Sequence, residues 1–263
     1  MARILAISSH VARGHVGLAA TVPALQWLGH EVWALPTVLL ASRPGLGRFA
    51  NHEIPPPQLE AMLSALESDG CWASLDAVFT GYFPSPQSVA VAAQAIARIQ
   101  KVQPNIHVCV DPILGDAGKL YVAEETAGAI RDQLLPLASI ATPNLFELQW
   151  LSGASPTARN QIADAARGLG PPTVVVTSAL QSEATVATLL VTAGACVGRS
   201  MTAHAGIPNG AGDLFAGLLL GHLLNGLAIE TALDASLQDL DRVLAASAGQ
   251  PVLQLSALMT STR

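Results

Sequence analysis

The sequence is poor in the features that mark several large classes of protein. Only 12% of its 263 residues are charged, with 13 basic residues, no basic run and a net charge of −6. That excludes the electrostatic footprint of a nucleic-acid binder. Cysteine is scarce, and Cys71, Cys109 and Cys196 stand far apart. They form neither a C-x-x-C metal knuckle nor a disulfide framework, so buried reduced thiols are expected. The apolar run at Met1 to Ile7 is too short for the core of a signal peptide and reads as a first strand, which sets a cytoplasmic expectation. The longest apolar run, Leu214 to Ile229, is broken by His222 and Asn225 and falls short of a bilayer span, so it reads as a buried helix with no membrane partner.

Signature motifs are missing too. The only lysines are Lys101 and Lys119, and no G-x-x-x-x-G-K-[ST] occurs. Gly14-x-x-Gly17 does not complete a dinucleotide fingerprint, and neither H-E-x-x-H nor G-x-S-x-G is present. His10 and His15 lack a third metal ligand nearby and read as loop histidines.

What is present is alternation. Short apolar runs at 3–8, 31–36, 77–80, 106–110, 139–142 and 173–177 are separated by helical patterns at 18–28, 58–68, 85–102, 124–134, 145–151 and 157–168. Such alternation predicts an α/β fold with a mostly parallel central sheet and helices on both faces. The runs 187–191 and 195–201 flank Gly194 and predict an antiparallel edge hairpin. The stretch 37–51, rich in Ser, Pro and Gly, reads as a mobile loop. No composition shift or internal repeat divides the chain, so one domain over 1–263 is expected.

Ligands in open α/β sheets bind at the carboxyl ends of the strands. The polar residues after the predicted strands are Ser9, Tyr82, Asp111, Thr142, Asn144, Thr177 and Ser178, joined by Asp213. The stretch Gly210-Ala211-Gly212-Asp213 opens the late apolar helix. Small residues let backbone N–H groups approach an anion, and the following carboxylate lies beside the bound charge. Phosphoryl transfer to an alcohol needs a base, donors for developing charge and a cation held by carboxylates. Asp213 is the candidate base, the 210–212 amides the candidate anion hole, and Asp111, Asp116 and Glu147 the candidate metal or metal-water ligands. Each has an ordinary alternative: a Gly-rich turn with a first-turn acid at 213, a turn cap at Asp111, a solvated turn at Asp116, a first-turn helix acid at Glu147.

Over nearly its whole length the chain resembles pyridoxal kinases of the ribokinase-like superfamily. The matching stretches are Ile7-Ser8-Ser9-His10-Val11 with Gly14-His15, Gly81-Tyr82, Asp111-Pro112-Ile113-Leu114-Gly115-Asp116 with Gly118-Lys119-Leu120-Tyr121-Val122, Thr142-Pro143-Asn144-Leu145-Phe146-Glu147, Val174 to Ser178 and Gly210 to Ala216. The G-x-G-D element indicates the superfamily, and the other motifs together indicate its vitamin B6 branch. The resemblance implies a three-layer αβα domain that phosphorylates the 5′-hydroxymethyl group of pyridoxal with ATP and Mg²⁺, and acts on pyridoxine and pyridoxamine to varying degrees. It implies a monovalent cation, K⁺ or Na⁺, and a homodimer. By match, Asp213 is the base and Gly210, Ala211 and Gly212 cradle the γ-phosphate. Ser9 and Tyr82 meet the substrate ring. Asp111, Thr142 and Thr177 lie around the monovalent cation and phosphates, Asn144 and Ser178 contact nucleotide, and Glu147 belongs to the magnesium shell. The chain departs from the family at Ala211, where Thr is common, at Arg13 and Leu18, and at Ser42-Arg43-Pro44-Gly45-Leu46, where a lid segment is usual; Arg43 or Arg13 is the candidate replacement charge. A hydroxymethylpyrimidine or other small-heterocycle kinase of the same fold, and a non-catalytic B6 or nucleotide-binding protein, are the rival readings.

Overall fold

A computed structural model describes residues 1–43 and 50–259. Among these residues the strands are β1 (Arg3–Arg13), β2 (Glu31–Ser42), β3 (Asn51–Glu53), β4 (Ala77–Thr80), β5 (His107–Val110), β6 (Gly115–Asp116), β7 (Lys119–Leu120), β8 (Ile140–Ala141), β9 (Thr173–Gln181), β10 (Thr185–Thr192) and β11 (Cys196–Thr202). The helices are α1 (Leu18–Trp27), α2 (Pro56–Ser68), α3 (Pro86–Val102), α4 (Glu124–Ala129), α5 (Leu145–Ser152), α6 (Arg159–Gly168), α7 (Ala211–Leu224) and α8 (Ile229–Ser247). One nine-stranded sheet runs β11-β10-β9-β8-β5-β4-β1-β2-β3, with β6 and β7 as a separate hairpin. Its six central strands pair in parallel. The expected hairpin β10–β11 is antiparallel, and β3 adds an antiparallel strand at the opposite edge.

Strand periodicity sorts the core into layers. Along β1, Leu5 and Ile7 pack with Val78 of β4 and Val108 of β5 against α2, α3 and α4. Ile4 and Ala6 alternate to the other face, joining Ala77, Phe79 and Cys109 against α1, α7 and α8. This is the expected three-layer αβα architecture, because every side chain in a two-sided parallel sheet needs a helix above or below it. Helix α8 is not among the expected elements, although Leu233, Leu237, Leu240 and Leu244 repeat at helical spacing and all are buried.

Two expectations are corrected, and one lies outside the described residues. Residues 37–42 are not loop but the second half of β2, where the β-branched Thr37 and Val38 continue the strand. Pro44, Gly45 and Leu46 of the departing lid segment lie outside the described residues. Ser9, Thr177 and Ser178 do not follow their strands but lie within β1 and β9. Both strands are irregular there. Pairing of β1 with β2 shifts register between Ser8 and His10, and β9 with β10 shifts at Ala187/Leu189, opposite Ser178, whose φ is 49°. A bulge re-aims a side chain that regular pleating would send into the core or the neighbouring layer.

Candidate active site

All the sequence-predicted site residues line one cavity of about 730 Å³: Ser9, Tyr82, Asp111, Thr142, Asn144, Glu147, Thr177, Ser178, Gly210, Ala211, Gly212 and Asp213. Asp116 and Arg43 line it as well, whereas Arg13 does not. The cavity opens where β4, β5 and β8 end and α5 and α7 begin, beside the irregular stretches of β1 and β9.

Asp213 occupies the first turn of α7, whose cap Gly210 has φ 111° and offers no side-chain cap. A β-carbon at Gly210 would collide with the His15 carbonyl, so only glycine lets the chain enter the helix this close to the β1–α1 loop. The position of Asp213 is fixed from α1: the Thr21 hydroxyl donates to the Asp213 carbonyl at 3.1 Å, and the Gly17 N–H donates to the carboxylate. Gly17 has φ 56°, and a β-carbon there would meet the Ser9 carbonyl. Burial pushes the Asp213 carboxyl up to about 6, only partly offset by the Gly17 and Asp213 N–H groups. Its Oδ1 is buried without a hydrogen-bond partner. A buried carboxylate oxygen left unpaired is costly unless a ligand completes it.

Glu147 and Asn144 form a capping box at the start of α5. The Glu147 N–H donates to Asn144 Oδ1 at 2.9 Å, and the Asn144 N–H donates to Glu147 Oε2 at 2.8 Å. Glu147 Oε1 also accepts the Leu114 N–H at 2.8 Å, and Asn144 Nδ2 donates to the Gly115 carbonyl at 2.9 Å. These bonds clamp the segment leading from Asp111 to β6. Ile113 within it has φ 37°, an uncommon conformation for a β-branched residue, which the clamp holds in place.

Asp111 follows β5 and is only 5% exposed. It accepts a hydrogen bond from the Thr142 hydroxyl at 3.0 Å. Burial raises its carboxyl, and the charges of Glu147 and then Asp213 raise it further, so the three acids share one field. Burial likewise lifts Glu147 to about 7 against its three backbone donors. A bound cation would reverse these shifts, and the donors are hard oxygens. Among the described residues no three His, Cys, Asp or Glu side chains already converge as a metal cage. The donors present fit an ion that draws its remaining ligands from water and phosphate.

The model of the phosphomethylpyrimidine kinase family matches residues 13–254. The chain belongs to this family. The chain is 34% identical over 228 residues to a pyridoxal kinase of Corynebacterium diphtheriae, covering 84% of this chain and 81% of that one. It is 36% identical to a pyridoxine/pyridoxal/pyridoxamine kinase of Bordetella avium, covering 92% of this chain and 84% of that one. The pyridoxal kinase of Leishmania donovani, solved with ADP and pyridoxamine, superposes with a TM-score of 0.92 at 26% identity, covering 100% of this chain and 97% of that one. The resemblance to pyridoxal kinases, ATP-dependent kinases of ribokinase-like fold, is thus borne out.

Sequence reasoning missed two parts of this kinase's cavity. One is the support of Asp213 by Gly17 and Thr21. The other is the β2–β3 wall, where Val38, Leu40, Asn51 and Glu53 line the cavity. The β-branched pair Thr37-Val38 was the available signal for the wall. Nothing local marks Thr21 as a partner of a residue 192 positions away. As for the thiols, Cys109 is buried and all three cysteines are free. No helix among the described residues is long and apolar enough to cross a membrane.

Proposed function

We propose that the protein is a pyridoxal kinase that transfers the γ-phosphoryl group of ATP to the 5′-hydroxymethyl group of pyridoxal, and also accepts pyridoxine and pyridoxamine. The observation that carries this reading is the unpaired, buried Asp213 Oδ1 beside the uncapped start of α7, in the cavity shared with Ser9 and Tyr82. Asp213 takes the hydroxyl proton as the substrate oxygen bonds to phosphorus and the bond from phosphorus to the ADP oxygen breaks. A base that titrates near 6 is ionised at neutral pH yet still basic enough to accept that proton. Backbone N–H groups of Gly210, Ala211 and Gly212, at the positive end of α7, face the charge that develops on the transferred group. Ser9 and Tyr82 hold the ring, while Asn144, Thr177 and Ser178 meet the nucleotide.

Asp111 and Thr142 would hold a cation, either magnesium or a K⁺ or Na⁺ ion. Glu147, whose oxygens already accept backbone N–H groups, would act on a magnesium ion's water shell. Such ions neutralise phosphate charge and hold the phosphates in line. On this reading the whole chain is one kinase domain, and it works as a cytoplasmic homodimer.

The second reading is a hydroxymethylpyrimidine kinase, favoured by the family description. A phosphorylation assay with Mg²⁺ and ATP across pyridoxal, pyridoxine, pyridoxamine and hydroxymethylpyrimidine separates the two. Faster turnover of the B6 vitamers is expected. Preference for the pyrimidine would transfer the assignment to the sister activity. Binding of pyridoxal with no phosphorylated product would leave a non-catalytic binding protein.

A further inference from the structure

The β2–β3 edge builds one wall of the cavity by strand alternation. In the antiparallel register Val38 faces Glu53 and Leu40 faces Asn51, and these four residues line the cavity. The intervening pair, Leu39 and His52, does not line it. Period-two geometry therefore puts one carboxylate, Glu53, on a wall otherwise made of apolar and neutral side chains, with Arg43 at its end.

This wall adjoins the ring-binding side of the cavity. The Thr37 hydroxyl donates to the Tyr82 carbonyl at 2.7 Å, and the Ile54 N–H donates to the Thr37 carbonyl at 3.0 Å, so the residue after Glu53 is tied through Thr37 to Tyr82. The charge of Glu53 adds to burial in raising the Tyr82 phenol. By contrast the field on Asp111 comes from Glu147 and Asp213, with Glu53 not among its causes. Glu53 thus belongs electrostatically to the Tyr82 side and stands apart from the acids of the phosphate side.

A carboxylate on this wall disfavours an anionic group beside it and favours a cationic one. Lys119 lines the cavity from the β6–β7 hairpin, on a different element, and Arg43 lies on the strand end beside the wall. A protonated group on a ligand facing this wall would be favoured by the same charge. Resting on the kinase reading above, we infer that Glu53 is a specificity-determining residue that favours substrates carrying a protonated aminomethyl group over those with a neutral hydroxymethyl group at the same ring position.

Pyridoxamine and pyridoxine differ only in that substituent, so their ratio isolates the effect. In Glu53→Gln the kcat/KM for pyridoxamine should fall roughly fivefold, the scale of one partly solvated ion pair, with the change in KM. The value for pyridoxine should stay within about twofold. Glu53→Lys should lower pyridoxamine further, with both variants keeping the wild-type unfolding midpoint. Equal changes for the two substrates, or no change for either, would overturn the inference. Should the wild type phosphorylate neither vitamer, the kinase reading falls by itself. Calorimetric affinities of the two vitamers for wild type and Glu53→Gln would then decide the role of Glu53: a selective loss for pyridoxamine upholds it and a parallel shift rejects it.

Discussion

Two helices begin on the same cavity, and each carries an acid three residues after its cap. At α5 the cap is Asn144 and the acid Glu147, and each side chain accepts the other's backbone N–H. At α7 the cap is Gly210, which has no side chain to give, and the acid is Asp213, with one oxygen unpaired. Burial raises both carboxyls, so exposure does not distinguish them. Satisfaction does. The α5 start has used its polar groups on its own chain, and so acts as a clamp on the segment after Asp111. The α7 start has left its first-turn N–H groups uncapped and an oxygen unpaired, and so has bonding capacity for a phosphoryl group and a hydroxyl.

The sharpest way to break this contrast is to neutralise each acid in turn. Asp213→Asn should lower kcat about a thousandfold, the scale of a lost general base, while ATP affinity measured by calorimetry stays within about threefold. In the wild type, kcat/KM should fall tenfold per pH unit below about 6, where the base becomes protonated. A variant with near-wild-type kcat would remove Asp213 from the role. The same variant has a stability signature of opposite sign. Because the folded pKa lies above the unfolded one, the wild type is penalised progressively as pH rises from about 4 to 6, and the penalty is fully present above that. Relieving it should stabilise Asp213→Asn at pH 8 by up to about 2–3 kcal/mol, a gain that vanishes near pH 4 in denaturant titrations.

Gly210→Ala tests the entry to α7. Its φ of 111° and the His15 carbonyl leave no room for a methyl group, so about 3 kcal/mol of stability should be lost, read as a lower urea midpoint. Gly212 is the internal control, since a β-carbon there meets no atom within 4 Å. Gly212→Ala should unfold like the wild type, and any loss it shows should be in kcat, where the methyl group intrudes on the phosphate. Equal destabilisation by the two alanines would mean that the close approach at Gly210 is not what shapes the helix entry.

Glu147→Gln should cost about 1–3 kcal/mol, because an amide facing the Asn144 and Leu114 N–H groups cannot accept from all of them. Its kcat should drop less than tenfold, in contrast to Asp213→Asn. A thousandfold loss here with unchanged stability would make Glu147 a direct catalytic participant and erase the distinction between the two helix starts.

The strand–helix alternation with its edge hairpin, and most of the cavity's polar residues, were legible because each rests on local signals. Alternating apolar runs mark strands and helices, and a polar residue after a parallel strand has one place to go. Residues 210–213 were legible for the same reason, since a glycine cap and a first-turn acid follow one another in the chain. The clamp by Glu147 was visible only as a first-turn helix acid, because its partner Leu114 lies 33 residues away. Ser9 and Ser178 were assigned to the right cavity by the wrong geometry, because bulges have no dependable signal in a single sequence. The Glu53 wall was obscured because Ser, Pro and Gly after residue 41 masked a strand that the preceding β-branched residues support.

The smallest expected effect separates backbone from side chain at the open helix start. Ala211 stands where the family commonly has Thr, and the departure removes a hydroxyl while leaving the N–H. If first-turn N–H groups supply most of the stabilisation, Ala211→Thr should change kcat by less than about threefold, under 1 kcal/mol of barrier. Ala211 is partly buried beside open cavity, so the larger side chain has room on that side and the unfolding midpoint should hold. A hundredfold rise would show that a hydroxyl at this position, not the helix's own N–H groups, is the principal donor to the transferred phosphoryl. The α7 start would then be incomplete in this chain rather than open by design, and its contrast with the self-satisfied α5 start would need a different cause.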